Sequence, residues 1–134
     1  MAVATITTLL GNQGDPVEYT VAAGTAIPKG TLMKISGSPQ TAAAASADGD
    51  YFAGIAATEK TTTDGITKMS CITHCIAEFT AGVGATTFGQ PQKISAANAV
   101  VDADDDTIEN SAEVVCLALE TAADGNQFAG LVNL

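Results

Sequence analysis

The spacing of turn signals limits this chain more than any other feature. Asp-Gly occurs at Asp48-Gly49, Asp64-Gly65 and Asp124-Gly125. Further breaks fall at Ile27-Pro28-Lys29-Gly30, Ser36-Gly37-Ser38-Pro39, Gly82-Val83-Gly84 and Gly89-Gln90-Pro91. Asp-Gly suits a type I′ turn, because both residues accept positive φ at little cost. The segment from Ile27 to Gly30 fits a type I turn, with Pro28 presetting φ at the second position. Turns this frequent cut the chain into short pieces, and short pieces read as strands.

Between the breaks the apolar residues recur with a period of two. Val17, Tyr19 and Val21 alternate with Glu18 and Thr20, and Met33 and Ile35 lie opposite Leu32 and Lys34. Residues 52–57 read as a buried strand in which Gly54 lets another backbone approach. Residues 66–79 form the clearest strand, with Met69, Cys71, Thr73, Cys75, Ala77 and Phe79 on one face. Its other face is also partly apolar, which predicts a central strand or one covered by a partner. Residues 113–120 and 127–134 read as a closing hairpin. A helix over 113–123 ranks second, because Val114, Val115 and Cys116 are poor helix formers. Residues 41–47 read as an Ala-rich linker or a helical turn, and 102–110 as an acidic loop. Residues 1–14 form a Thr-rich, β-prone arm ending in a hinge at 11–14, ahead of a single β-rich domain over 15–134. The sum is eight or so short strands: an all-β fold, a small β-sandwich or barrel with at most one short helix.

Composition narrows the function. The chain has 134 residues and is 46% hydrophobic, yet only 4% aromatic, with much of the apolar content supplied by Ala. Ala buries little area, so the core is expected to be thin and assembly to supply part of the stability. Net charge is −10, with five lysines in no cluster and no arginine. That disfavours direct nucleic-acid binding and anionic membranes, and suits a basic patch on a partner. No apolar run reaches the roughly 18 residues of a membrane span, and the first ten residues lack the basic region of a signal peptide. Synthesis in a cytosol is the expectation. Three cysteines are an odd number, which favours reduced thiols buried as small apolar groups.

The chemical motifs are sparse. His74 adjoins Cys75, but neighbours on a strand point to opposite faces and cannot share a proton. Cys71 and Cys75 share a face about 13 Å apart on a strand, too far for one zinc ion with Zn–S bonds of about 2.3 Å. The acidic run is the better candidate. Asp102, Asp104, Asp106 and Glu113 fall at positions 1, 3, 5 and 12 of an EF-hand spacing, but Thr107 stands where the turn needs glycine. This leaves a weak Ca²⁺ or Mg²⁺ site of another kind, set against a solvated acidic loop. Lys68 lies inside a strand and not at a hairpin tip, and Gly82-x-Gly84 opens no phosphate-binding helix. Neither catalysis nor a cofactor is expected.

The pattern resembles the capsid decoration, or cement, proteins of tailed bacteriophages. The resembling residues are 14–19 (GDPVEY), 27–35 (IPKGTLMKI), 49–56 (GDYFAGIA), and Ala118-Leu119-Glu120 with Gly125. The resemblance implies a β-tulip-like fold, often a homotrimer, on the outer surface of a shell of major capsid protein in the virion. Such proteins are made in the host cytoplasm and stabilise the head against internal pressure. It also implies an N-terminal arm that adds a strand to a capsid subunit, so Val3, Thr5, Ile6, Thr7, Leu9 and Leu10 become candidate capsid-binding residues by β-augmentation. The rival readings are a tail-tube or fibre-associated β-protein and a Ca²⁺-dependent binding module.

Overall fold

The computed structural model describes residues 3–8, 16–103 and 113–133. They contain eleven strands and no α-helix: β1 (Thr5–Thr8), β2 (Val17–Thr20), β3 (Leu32–Ile35), β4 (Ala42–Ala44), β5 (Phe52–Ala56), β6 (Lys68–Ile72), β7 (His74–Ala81), β8 (Pro91–Ala96), β9 (Ala99–Asp102), β10 (Val114–Ala118) and β11 (Gln127–Asn133). The all-β fold class expected from the sequence is the one observed, with more strands than the eight or so anticipated.

The strands form two sheets, and each closes on itself. One sheet has the order β2-β6-β5-β3-β4. Its two outer strands are linked by a parallel bridge between Thr20 and Thr41, where the Thr20 amide donates to the Gln40 carbonyl at 2.9 Å. We call this the N-barrel. The other sheet runs β1-β7-β11-β10-β8-β9 and closes through a parallel pairing of β7 with β9, at Thr80↔Ala99 and Ala81↔Val100. This is the C-barrel. β1 lies on the same edge of β7 as β9, at Ile76 to Glu78, so the two share that edge lengthwise.

Five of the tight turns follow one rule. In 28–31, 47–50, 82–85, 87–90 and 123–126 the fourth amide donates to the first carbonyl, and the third residue is glycine at positive φ. Positive φ at the third position alone is what a type II turn requires, and glycine meets it without steric cost. This corrects two expectations. Asp48, Asp64 and Asp124 do not take the positive φ of a type I′ turn, and the turn at Pro28 closes on Thr31, one residue later than anticipated.

Residues 66–79 are not one strand. The chain leaves the N-barrel at Ile72 and enters the C-barrel at His74, with Thr73 as the crossing. Gly54 of β5 packs here: a Cβ on it would lie 2.8 Å from Cys71 Cβ and 2.9 Å from the Ile72 carbonyl. The period of two continues in phase through Thr73, so Cys71 and Cys75 both point inward, but into different cores. The Ala-rich stretch is also corrected, since Ala42–Ala44 forms β4 along β3.

Two apolar clusters result. Met33, Ala53, Ala56, Met69 and Cys71 fill the N-barrel. The larger cluster fills the C-barrel and extends under β3 and β5 through Leu32, Phe52 and Ile55, so the barrels are packed together. A five-strand barrel has a narrow interior, which favours small side chains. Ala77, Ala118 and Gly130 accordingly surround Phe79 and Phe128, whose ring centroids are 5.9 Å apart. The low aromatic content thus suits the barrel radius. The seam also carries polar ties: the Leu32 amide donates to Asn98 Oδ1 at 3.0 Å, and Lys93 pairs with Asp48 at 3.1 Å.

Candidate functional site

The N-terminal arm is built into the C-barrel over its described part. Thr5, Ile6 and Thr8 are paired with Glu78, Ala77 and Ile76 of β7 in the same chain. Ala4 is buried and its amide donates to the Gly30 carbonyl at 2.8 Å, while Val3 is half-buried beside Gly30. Thr7 lies within β1 between these pairings; Leu9 and Leu10 lie outside the described residues. One edge of β1 is therefore occupied by β7, and no described strand pairs with its other edge.

Asp102 ends β9 and is already engaged. Its Oδ1 accepts from the Thr87 amide and from Gln92 Nε2, both at 2.8 Å. Partial burial opposes ionisation, but these hydrogen bonds outweigh it and hold the carboxyl below the usual carboxylate range. Glu113 lies beside Gly49 at the start of β10, and β8 runs between β10 and β9. That separates the two acids by two strand spacings, about 10 Å of backbone. Asp104 and Asp106 lie outside the described residues, and among the described residues no group of three or more His, Cys, Asp or Glu converges as metal ligands would.

The thiols are deep in the two cores. Burial pushes Cys71 and Cys75 up to about 11 and raises Cys116 further, with Cys75 adding to the last. Such thiols are poor nucleophiles near neutral pH. His74 faces outward opposite Asn133, away from Cys75, as strand alternation requires.

Sequence reading missed Lys60. It looks solvated among threonines, yet it is 1% exposed, and its Nζ donates to the carbonyls of Ala23, Thr25 and Thr61 at 2.8, 2.6 and 3.3 Å. Nothing in the local sequence marks it.

Sequence reading also missed the two most exposed large apolar residues among those described. Val83 is 83% exposed and Phe88 67%. Each stands second in one of the glycine turns, 82–85 and 87–90, and these successive turns join β7 to β8. The Phe88 amide donates to Thr121 Oγ1 at 3.0 Å and the Gly89 amide to the Ala118 carbonyl at 2.9 Å, so the Phe88 turn is pinned to the end of β10. Beside it Pro91, Leu117 and Leu131 are direct cross-strand partners on β8, β10 and β11, an apolar row on the outer face of the C-barrel. Leu117 is 40% exposed. The sequence signal was present in the breaks at 82–84 and 89–91, but it marks a turn and not what the turn displays.

The fold thus defines an all-β class of two small closed barrels packed together. No family model matches the chain, and no curated protein does. Among solved structures the chain is similar to the N base of head fiber gp8.5 of bacteriophage phi29. That match has a TM-score of 0.57 at 16% identity and covers 89% of this chain and 95% of the other. The likeness is one of fold.

Proposed function

We propose that this chain is a structural protein of a phage head, a decoration protein bound to the outer surface of the major capsid protein shell. One observation carries this reading: the fold is shared almost end to end with the N base of a phage head fiber. The short motifs of the first subsection, which resemble decoration proteins, point the same way. The same observation weighs against the tail-tube half of the rival reading and supports its fibre-associated half as the second reading, a fibre base on the head. The chain is read as non-catalytic, supported by three buried thiols and a His74 turned away from Cys75.

The physical task is binding that opposes separation. A molecule touching two capsid subunits adds its contact energy to their junction, and shell symmetry repeats a weak contact many times. A homotrimer would multiply the contacts again.

The test uses the full chain and emptied, expanded shells of the virus that encodes it. The protein is expected to co-sediment with shells and to raise their rupture temperature. Failure of both, or binding to purified tails instead, sinks the proposal.

A further inference from the structure

Five tight turns of one geometry allow a comparison of what each displays at its second, outward position. Three display charge: Lys29, Asp48 and Asp124. The other two display Val83 and Phe88, and they follow one another in a single connection. A large apolar side chain at a turn apex gains nothing from its own fold when it is two-thirds exposed. The backbone of the Phe88 turn is also held by the bonds to Thr121 and Ala118, so only the side-chain rotamer remains to be ordered on docking. An exposed, preorganised aromatic beside an apolar row has the character of an interface anchor.

Charge identifies the kind of partner. Among the described residues, 74–133 hold five acids (Glu78, Asp102, Glu113, Glu120 and Asp124) against one lysine, a net −4. That lysine, Lys93, is paired with Asp48. Asp124 stands at the apex of the neighbouring turn, and Glu120 adjoins the Thr121 that holds Phe88. A second copy of the chain would bring like charge to like charge. The other exposed large apolar residues among the described ones, Val17, Ile35, Tyr51 and Ile66, lie before residue 74, where the described residues carry only −1, and Ile35 and Tyr51 adjoin the Lys34–Asp50 ion pair.

We infer that the Phe88 turn, with the Pro91–Leu117–Leu131 row, is the face that docks on the head shell. Its partner is a basic protein surface carrying an apolar recess. This rests on the proposed function and adds to it which face is used and what chemistry receives it.

The test measures co-sedimentation of the full chain with emptied shells at about 0.1 M and about 0.5 M salt, where screening differs strongly. Phe88→Ser and Leu117→Ser are expected to weaken binding at least about tenfold. Asp124→Asn should weaken it a few-fold, and higher salt should weaken the wild type. Ile35→Ser and Tyr51→Ser should bind like the wild type. All five sites are exposed, and unchanged melting temperatures confirm intact folds. If Ile35→Ser and Tyr51→Ser lose binding while Phe88→Ser keeps it, the face is wrong and the head function stands. If Phe88→Ser instead dissolves an oligomer seen by light scattering without shells, the occupant is a second copy and the inference fails. A wild type that ignores shells overturns the function and the face together.

Discussion

At the scale of single residues, Lys60 is the side chain whose placement is most demanding. Three N–H donors meet three backbone carbonyls in a site closed to water, so each polar group is satisfied. Replacement by methionine keeps the volume and strands the carbonyls of Ala23, Thr25 and Thr61. Unsatisfied buried groups cost about 1–3 kcal/mol each, and relaxation of a loop recovers part, so Lys60→Met should lower unfolding stability by about 2–4 kcal/mol in urea titration. Lys68→Met, at an exposed ion pair with Glu18, should cost under about 1 kcal/mol. The burial of Lys60 was illegible in sequence, because it depends on two loops, 22–26 and 57–66, folding toward each other. The inward thiols were legible, because alternation along 66–79 puts Cys71 and Cys75 on one face whichever barrel receives them.

At the scale of elements, the arm and the Pro28 turn depend on each other. Gly30 has φ +87, and a Cβ there would run into the Ala4 carbonyl. Gly30→Ala should therefore release the root of β1 as well as strain the turn, costing about 1–3 kcal/mol. Hydrogen exchange of the β7 amides facing β1 should rise, while Gly37→Ala, with open space around it, should leave exchange unchanged. Most strands were readable from alternation and turn residues. β4 was not: alanine has little preference for extended structure, and Ala42–Ala44 is a strand because β3 pairs with it. The division at Thr73 was hidden for the opposite reason, since the apolar pattern passes through it unbroken. The site was least legible of all. Val83 and Phe88 occupy recognisable turns, but how far each side chain projects is a property of the assembled barrel.

At the scale of the whole molecule, ionisation brackets the stable range. Asp50 and Asp102 are held below the ordinary value of 3.8: burial opposes this in both, and hydrogen bonds, with the Lys34 charge for Asp50, prevail. Their contribution is present above the unfolded value and disappears as pH falls through the folded ones. The thiols act in reverse. Between their ordinary value of 9.0 and the folded value of about 11, the unfolded chain sheds protons that the folded chain keeps, so rising pH favours unfolding. The melting temperature should be level from about pH 5 to 8 and fall on either side. Cys71→Ala with Cys75→Ala should flatten the alkaline limb relative to the neutral plateau. A decline that persists unchanged in the double variant would assign it elsewhere.

The mutual closure of the sheets bears on behaviour in concentrated solution. Extended segments rich in Thr, Val and Ala can template one another when their backbone rims lie open, and growth into fibrils follows. Here Thr20 meets Thr41 and Ala81 meets Val100, so each ring consumes its own rim. Apart from the free edge of β1, crowded copies are left to meet through side chains, which discriminate between partners, and not through peptide groups, which do not.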